Sequence, residues 1–131
     1  MIEFPYQKEF SELFGEIFRP LAEFEIETSK GWIPIVGYVD SGADVTLLPR
    51  SFLKPLKVKI EKSEIKEIRG IGEGRVPVII KNVGMKIGDK VFNAKIAVAL
   101  IEDVPYILGR EDVFEKFEII FCQEERVVRF I

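Results

Sequence analysis

Short runs that alternate apolar and polar residues constrain the fold of this chain more than any other feature. Successive side chains of a β-strand point to opposite faces of the sheet, so a period of two predicts a strand with one buried face. Turn residues separate these runs at intervals of roughly ten residues, which is typical of all-β barrels and sandwiches. The predicted strands span residues 21–28, 32–39, 56–61, 75–81, 90–100, 117–122 and 126–131.

Two segments favour helices instead. Apolar residues between Tyr6 and Phe18 recur at spacings of three and four, which predicts a helix that Pro20 ends. The apolar stripe 10–18 is expected to be core or a dimer contact, and if it is an exposed patch it could dock a partner. A second short helix is predicted over 111–116. The 131 residues fit a single domain, 1–131, with a helical N-terminal extension, 1–20, and a C-terminal hairpin, 118–131.

The composition excludes several kinds of chemistry. The chain has no histidine, which removes Ser-His-Asp and Cys-His nucleophile systems and zinc sites built on imidazole. Its one cysteine, Cys122, cannot close an intrachain disulfide. A net charge of −3 disfavours nucleic acid as a partner. Carboxylates, lysines or hydroxyls must therefore carry any catalysis, and we expect no metal and no cofactor.

The sequence also bears on location. The N-terminus lacks a basic segment followed by an apolar one, and no apolar run approaches the ~20 residues that a membrane helix needs. We therefore expect a cytoplasmic protein with no membrane partner.

One stretch stands out as a candidate site. Asp40 directly follows an apolar strand and is itself followed by Ser41-Gly42-Ala43, so it lies where the backbone turns sharply. Asp, Ser and Gly are also common turn residues, and on this stretch alone a plain turn and a functional site are equally good interpretations. Two further features accompany it: three alternating glycines in 69–74, and an apolar run, 104–108, that ends in Gly109-Arg110.

These three features, in this order, resemble the retropepsin-like aspartic proteases, whose members are single-lobe homodimers. The resemblance covers roughly 21–116 and implies a small closed barrel of the acid-protease type with one or two short helices. Residues 40–48 resemble the catalytic loop of that family, 70–74 its flap tip, and 107–110 the segment beneath the loop. The C-terminal part looks closer to the cellular DNA-damage-inducible-type relatives.

The resemblance also implies residue roles. Asp40 would be catalytic, with Ser41 and Gly42 supporting the loop, and Asp44 would form an ion pair with Arg110 that flanks the cleft. A bidentate, partly buried pair would be structural as much as functional. The residues implied in substrate binding are Ala43, Asp44, Val45, Leu47, Gly70, Ile71, Gly72, Ile107 and Arg110.

The implied activity is that of a homodimeric aspartic endopeptidase. Each subunit would contribute one Asp40, and the paired carboxylates would activate the water that hydrolyses a peptide or protein substrate. The alternative within the family is a catalytically inactive dimerisation or peptide-binding module. A third possibility is an unrelated β-barrel ligand binder, which would be a monomer in solution.

Overall fold

The computed structural model describes residues 1–70 and 72–131 of the chain. Within them lie twelve strands and three short 3-10 helices, and no α-helix. The strands are β1 (Ile2–Pro5), β2 (Gln7–Ser11), β3 (Gly15–Arg19), β4 (Leu21–Thr28), β5 (Gly31–Val39), β6 (Thr46–Leu48), β7 (Lys66–Arg69), β8 (Arg75–Ile87), β9 (Lys90–Ala99), β10 (Ile107–Leu108), β11 (Ile119–Cys122) and β12 (Val127–Phe130). The 3-10 helices are Arg50–Phe52, Lys62–Glu64 and Phe114–Lys116.

Six strands form a closed barrel, which confirms the predicted all-β fold of the acid-protease type. The strand order is β4-β5-β10-β6-β9-β8, and pairing of β4 with β8 closes the ring. Strand β7 lies at the edge of the sheet, where it pairs antiparallel with β8 to form a hairpin. Closure gives every inward-facing apolar residue of these strands a common core, in which Phe24, Ile26 and Met85 are fully buried.

The N-terminal segment differs from its prediction, because it is a hairpin and not a helix. Strands β2 and β3 pair antiparallel in a separate two-stranded sheet, with Ser11 opposite Gly15. Gly15 has φ +73°, a left-handed conformation that closes the turn and that glycine adopts without strain. The spacing of three and four among the aromatic residues reflects two short strands and a tight turn, and not one helical face.

Two other local predictions also differ from the structure. The segment 56–61 forms no strand: Lys57 has φ +54° and its N–H donates to Lys54 O at 3.0 Å, so the chain turns there. The segment 111–116 is a turn followed by a single 3-10 turn, Phe114–Lys116, and the short helices of this fold are all of that kind in the described residues.

The two ends of the chain form a small sheet outside the barrel. Its strand order is β1-β12-β11, so the C-terminal hairpin of β11 and β12 carries the N-terminal strand on its edge. Phe130 of β12 is buried and makes edge-to-face contacts with Phe4 and Phe117, which attach this sheet to the core. Among the residues described, no helix is long and apolar enough to cross a membrane.

Candidate active site

Asp40 lies at the carboxyl end of β5, where the chain leaves the barrel. Its N–H donates to Leu108 O at 3.1 Å, and this bond extends the parallel pairing of β5 with β10 by one residue. Its carboxylate oxygen Oδ1 accepts the Gly42 N–H at 2.9 Å. A Cβ at Gly42 would lie only 3.2 Å from that oxygen. Both the backbone and the carboxylate of Asp40 are therefore held by backbone groups, and the residue closest to the carboxylate oxygen, Gly42, has no side chain to obstruct that contact.

The segment after β10 fastens the loop from beneath. The Arg110 N–H donates to Ala43 O at 3.0 Å, and the Glu111 N–H donates to Asp44 O at 2.8 Å. In the interior, the Gly109 N–H donates to the hydroxyl of Thr46 at 3.0 Å, and Thr46 is completely buried. Residues of two distant segments are thus tied together by three hydrogen bonds, which fixes the loop that carries Asp40.

A hairpin made by β7 and β8 (the glycine hairpin) lies across from this loop. Gly70 N–H donates to Gly74 O at 3.0 Å and closes its tip, where Gly72 has φ +78°. Among the described residues, and leaving aside the chain neighbours, no atom lies within 4 Å of a Cβ built on Gly70 or Gly72. Ile71, expected from the sequence to cover the site, lies outside the described residues.

The loop and the hairpin enclose a cleft of about 870 Å³. This volume lies within the range of ligand-binding clefts, roughly 300–1,000 Å³. An apolar cluster that includes Leu47, Ile68 and Ile107 forms part of its walls. The residues that line the cleft are Asp40, Gly42, Ala43, Asp44, Val45, Leu47 and Ile107 on one side and Glu67, Ile68, Arg69 and Gly70 on the other.

Some predicted site residues lie apart from that cleft. Ser41 is exposed on the loop beside Asp40, and Gly72 is at the tip of the hairpin. Arg110 lines a neighbouring recess together with Asp44. The ion pair that the resemblance implies for these two is a single contact of 3.8 Å between Arg110 Nη1 and Asp44 Oδ1, and their side chains are 57% and 96% exposed. In one subunit this pair is a solvated contact and not a buried, bidentate one.

Sequence reasoning missed a second group of residues near Asp40. Glu9 and Arg19 of the N-terminal hairpin lie 3.7 Å apart, and the Tyr38 hydroxyl donates to Glu9 Oε1 at 2.7 Å. That hydrogen bond raises the pKa of Tyr38, with burial as a smaller cause. Glu9, Arg19 and Tyr38 share a recess of about 520 Å³ with Asp40 and Ile107. The helix predicted over 6–18 gives no reason to expect this grouping, and no local pattern in the sequence indicates it.

The cleft-facing residues of β7 were also missed. Ile68 is half-buried between exposed Glu67 and Arg69, and as the single apolar residue of β7 it forms no alternating pattern that would predict a strand. No group of three or more acidic or cysteine side chains positioned to hold a metal ion occurs among residues 1–70 and 72–131.

Comparison with known proteins identifies the family. No curated protein sequence matches the chain significantly. Among solved structures, the EIAV protease in complex with the inhibitor HBY-793 superimposes with a TM-score of 0.56. The two are 28% identical, and the match covers 74% of this chain and 86% of the other. The profile of the retroviral aspartyl protease family matches residues 18–120, which include β4 to β10, the Asp40 loop and the glycine hairpin. This chain therefore belongs to the retroviral aspartyl protease family.

Proposed function

We propose that this chain is an aspartic endopeptidase that works as a homodimer, with Asp40 of each subunit forming the catalytic pair. The observation that carries the proposal is the position of the Asp40 carboxylate, which accepts the Gly42 N–H at 2.9 Å and lines a cleft roofed by a glycine hairpin. Family membership supports peptide hydrolysis as the reaction class.

The chemistry requires a second carboxylate. Hydrolysis without a metal or a covalent intermediate needs one group to accept a proton from water and another to donate one to the scissile carbonyl. One loop of this kind occurs per chain, so the simplest complete site is a two-fold dimer in which the loops meet at the axis. Family members of this kind are typically dimeric.

In such a dimer the two Asp40 carboxylates share one proton, as in aspartic-protease dyads generally, because neighbouring like charges resist joint ionisation. The charged partner takes a proton from a water held between them as the water oxygen attacks the scissile carbon. The protonated partner hydrogen-bonds to the carbonyl oxygen. Collapse of the tetrahedral species breaks the carbon–nitrogen bond, and a proton from the pair goes to the leaving amine.

The cleft favours an extended peptide with apolar side chains next to the scissile bond. Leu47, Ile68 and Ile107 belong to one apolar cluster on its walls, and Val45 packs at its edge. The glycine hairpin would open to admit the peptide and close to exclude water, and a Cβ built on Gly70 or Gly72 meets no described atom within 4 Å, which leaves space around the tip.

Substitution of Asp40→Asn tests this function. The amide has nearly the same shape but cannot accept the proton from water, so we expect kcat on a peptide library to fall at least about 100-fold. The dimer should persist in sedimentation. Asp89→Asn, in the exposed turn between β8 and β9, is the matched control and should cleave at the wild-type rate.

Three results would contradict the proposal. Cleavage by Asp40→Asn at the wild-type rate would remove Asp40 from the mechanism. Specific activity that does not fall when the enzyme is diluted below its dimer Kd would show that one subunit suffices. A wild-type dimer that binds peptides but cleaves none would favour the inactive binding module.

A further inference from the structure

The N-terminal hairpin carries an exposed apolar tip. Phe10, Leu13 and Phe14 (the hairpin tip) are 80%, 84% and 78% exposed, although each is a large hydrophobic residue. They stand together at the turn of a two-stranded sheet that pairs with no other strand of the described chain. Contiguous exposed apolar side chains of this size mark interaction surfaces.

The base of the hairpin is fixed to the barrel. Tyr38 donates a hydrogen bond to Glu9, and the guanidinium of Arg126 lies 3.8 Å from the ring centre of Phe18. Phe18 packs against the main core. The hairpin therefore has a defined position, while its outer half lacks support, and an isolated hairpin is only marginally stable in water.

The hairpin stands beside Asp40. Glu9 and Arg19 line one recess together with Asp40 and Ile107, so the base of the hairpin borders the opening that Asp40 faces. In the proposed dimer a second copy of the chain must approach Asp40 closely. It therefore approaches the hairpin as well.

We infer that the hairpin tip is a dimerisation arm, which packs against the second copy of this chain when the catalytic dimer forms. This inference rests on the proposed function, because that function supplies the second copy. Two-fold symmetry places the arm at the interface twice, so one substitution removes two contacts per dimer. Apolar side chains that are solvated in the monomer then lose their contact with water on association.

The double variant Leu13→Ser/Phe14→Ser tests the inference by sedimentation over a range of protein concentrations. Four apolar side chains are removed per dimer. Truncation of buried aromatic residues is among the changes that reduce the binding free energy of an interface most. We expect the dimer Kd to rise at least about 100-fold. The control Ile60→Ser/Val91→Ser removes exposed apolar residues, 49% and 59% exposed, from other surfaces and should leave Kd unchanged. An unchanged Kd in the tip variant would overturn the inference.

A second measurement does not require the affinity of the dimer to be lowered. In the variant Phe14→Trp the added indole reports the surroundings of the tip, and we expect its emission to shift to the blue as concentration drives dimerisation. Emission that stays at the wavelength of a solvated indole in the dimer would overturn the inference.

The two proposals fail in different ways. If the tip variant dimerises like the wild type while Asp40→Asn loses cleavage, the arm is wrong and the catalytic assignment stands. If Asp40→Asn cleaves normally, the catalytic assignment fails, and sedimentation of the tip variant still decides the role of the arm.

Discussion

Gly109 is the residue whose replacement tests how the Asp40 loop is held in place. A Cβ built at this position falls onto the carbonyl carbon and oxygen of Val45, and lies 2.8 Å from Thr46 N. Contacts under 3.0 Å essentially never occur at a real Cβ. The obstacles are backbone atoms at the start of β6, and so they cannot move aside as a flexible side chain can.

The substitution Gly109→Ala should therefore be strongly destabilising. Forcing a methyl group into a packed interior costs about 1–3 kcal/mol. The shift also separates the Gly109 N–H from the hydroxyl of the fully buried Thr46, and an unsatisfied buried polar group costs about 1–3 kcal/mol. We expect the free energy of unfolding to fall by about 2–6 kcal/mol, which is the sum of these two effects.

Urea denaturation followed by far-ultraviolet circular dichroism measures this change. The matched control is Gly70→Ala, where a Cβ meets nothing within 4 Å. That control should be neutral or stabilising by up to about 1 kcal/mol, because alanine narrows the unfolded ensemble. If Gly109→Ala unfolds at the same urea concentration as the wild type, the close approach of the two segments is not the constraint described here.

Further predictions concern charge and pH. Removing the exposed ion pair with Arg110→Ala should change the free energy of unfolding by less than about 1 kcal/mol in urea titrations, and 1 M salt should erase the difference. Because the hydrogen bond to Glu9 raises the pKa of Tyr38 above its ordinary value of 10.0, the stability it adds is complete below pH 10 and lost as pH rises through the raised value. Wild type should thus lose more stability than Tyr38→Phe between neutral pH and pH 11, and equal losses would count against the bond.

Local chemistry explains why the sequence predicts the Asp40 loop and the long barrel strands β4, β5, β8 and β9, whereas the short strands β6 and β10 were not predicted. The predicted strand 21–28 coincides with β4, and its turn at Ser29-Lys30 leads into β5, because alternation and turn residues act over a few positions. Asp40 is recognisable for the same reason, since the strand end and the small residues after it are neighbours in sequence. The role of Asp40 remains a prediction.

The N-terminal hairpin shows where local information ends. Residues 6–18 satisfy a helical spacing, yet the left-handed φ of Gly15 and the anchoring of Glu9 by Tyr38 produce two strands. Tyr38 lies 29 positions away from Glu9, so no window of sequence contains both partners.

The amino-acid sequence alone predicts an all-β fold and identifies the segment that carries Asp40, because both depend on the order of adjacent residues. Tertiary structure decided which distant groups surround Asp40: Leu108, which accepts its backbone N–H, the glycine hairpin across the cleft, and the N-terminal hairpin, which lines a recess with it. The physical reason is that barrel closure brings together strands far apart in the chain, and their pairing energy outweighs the local preference of any one segment.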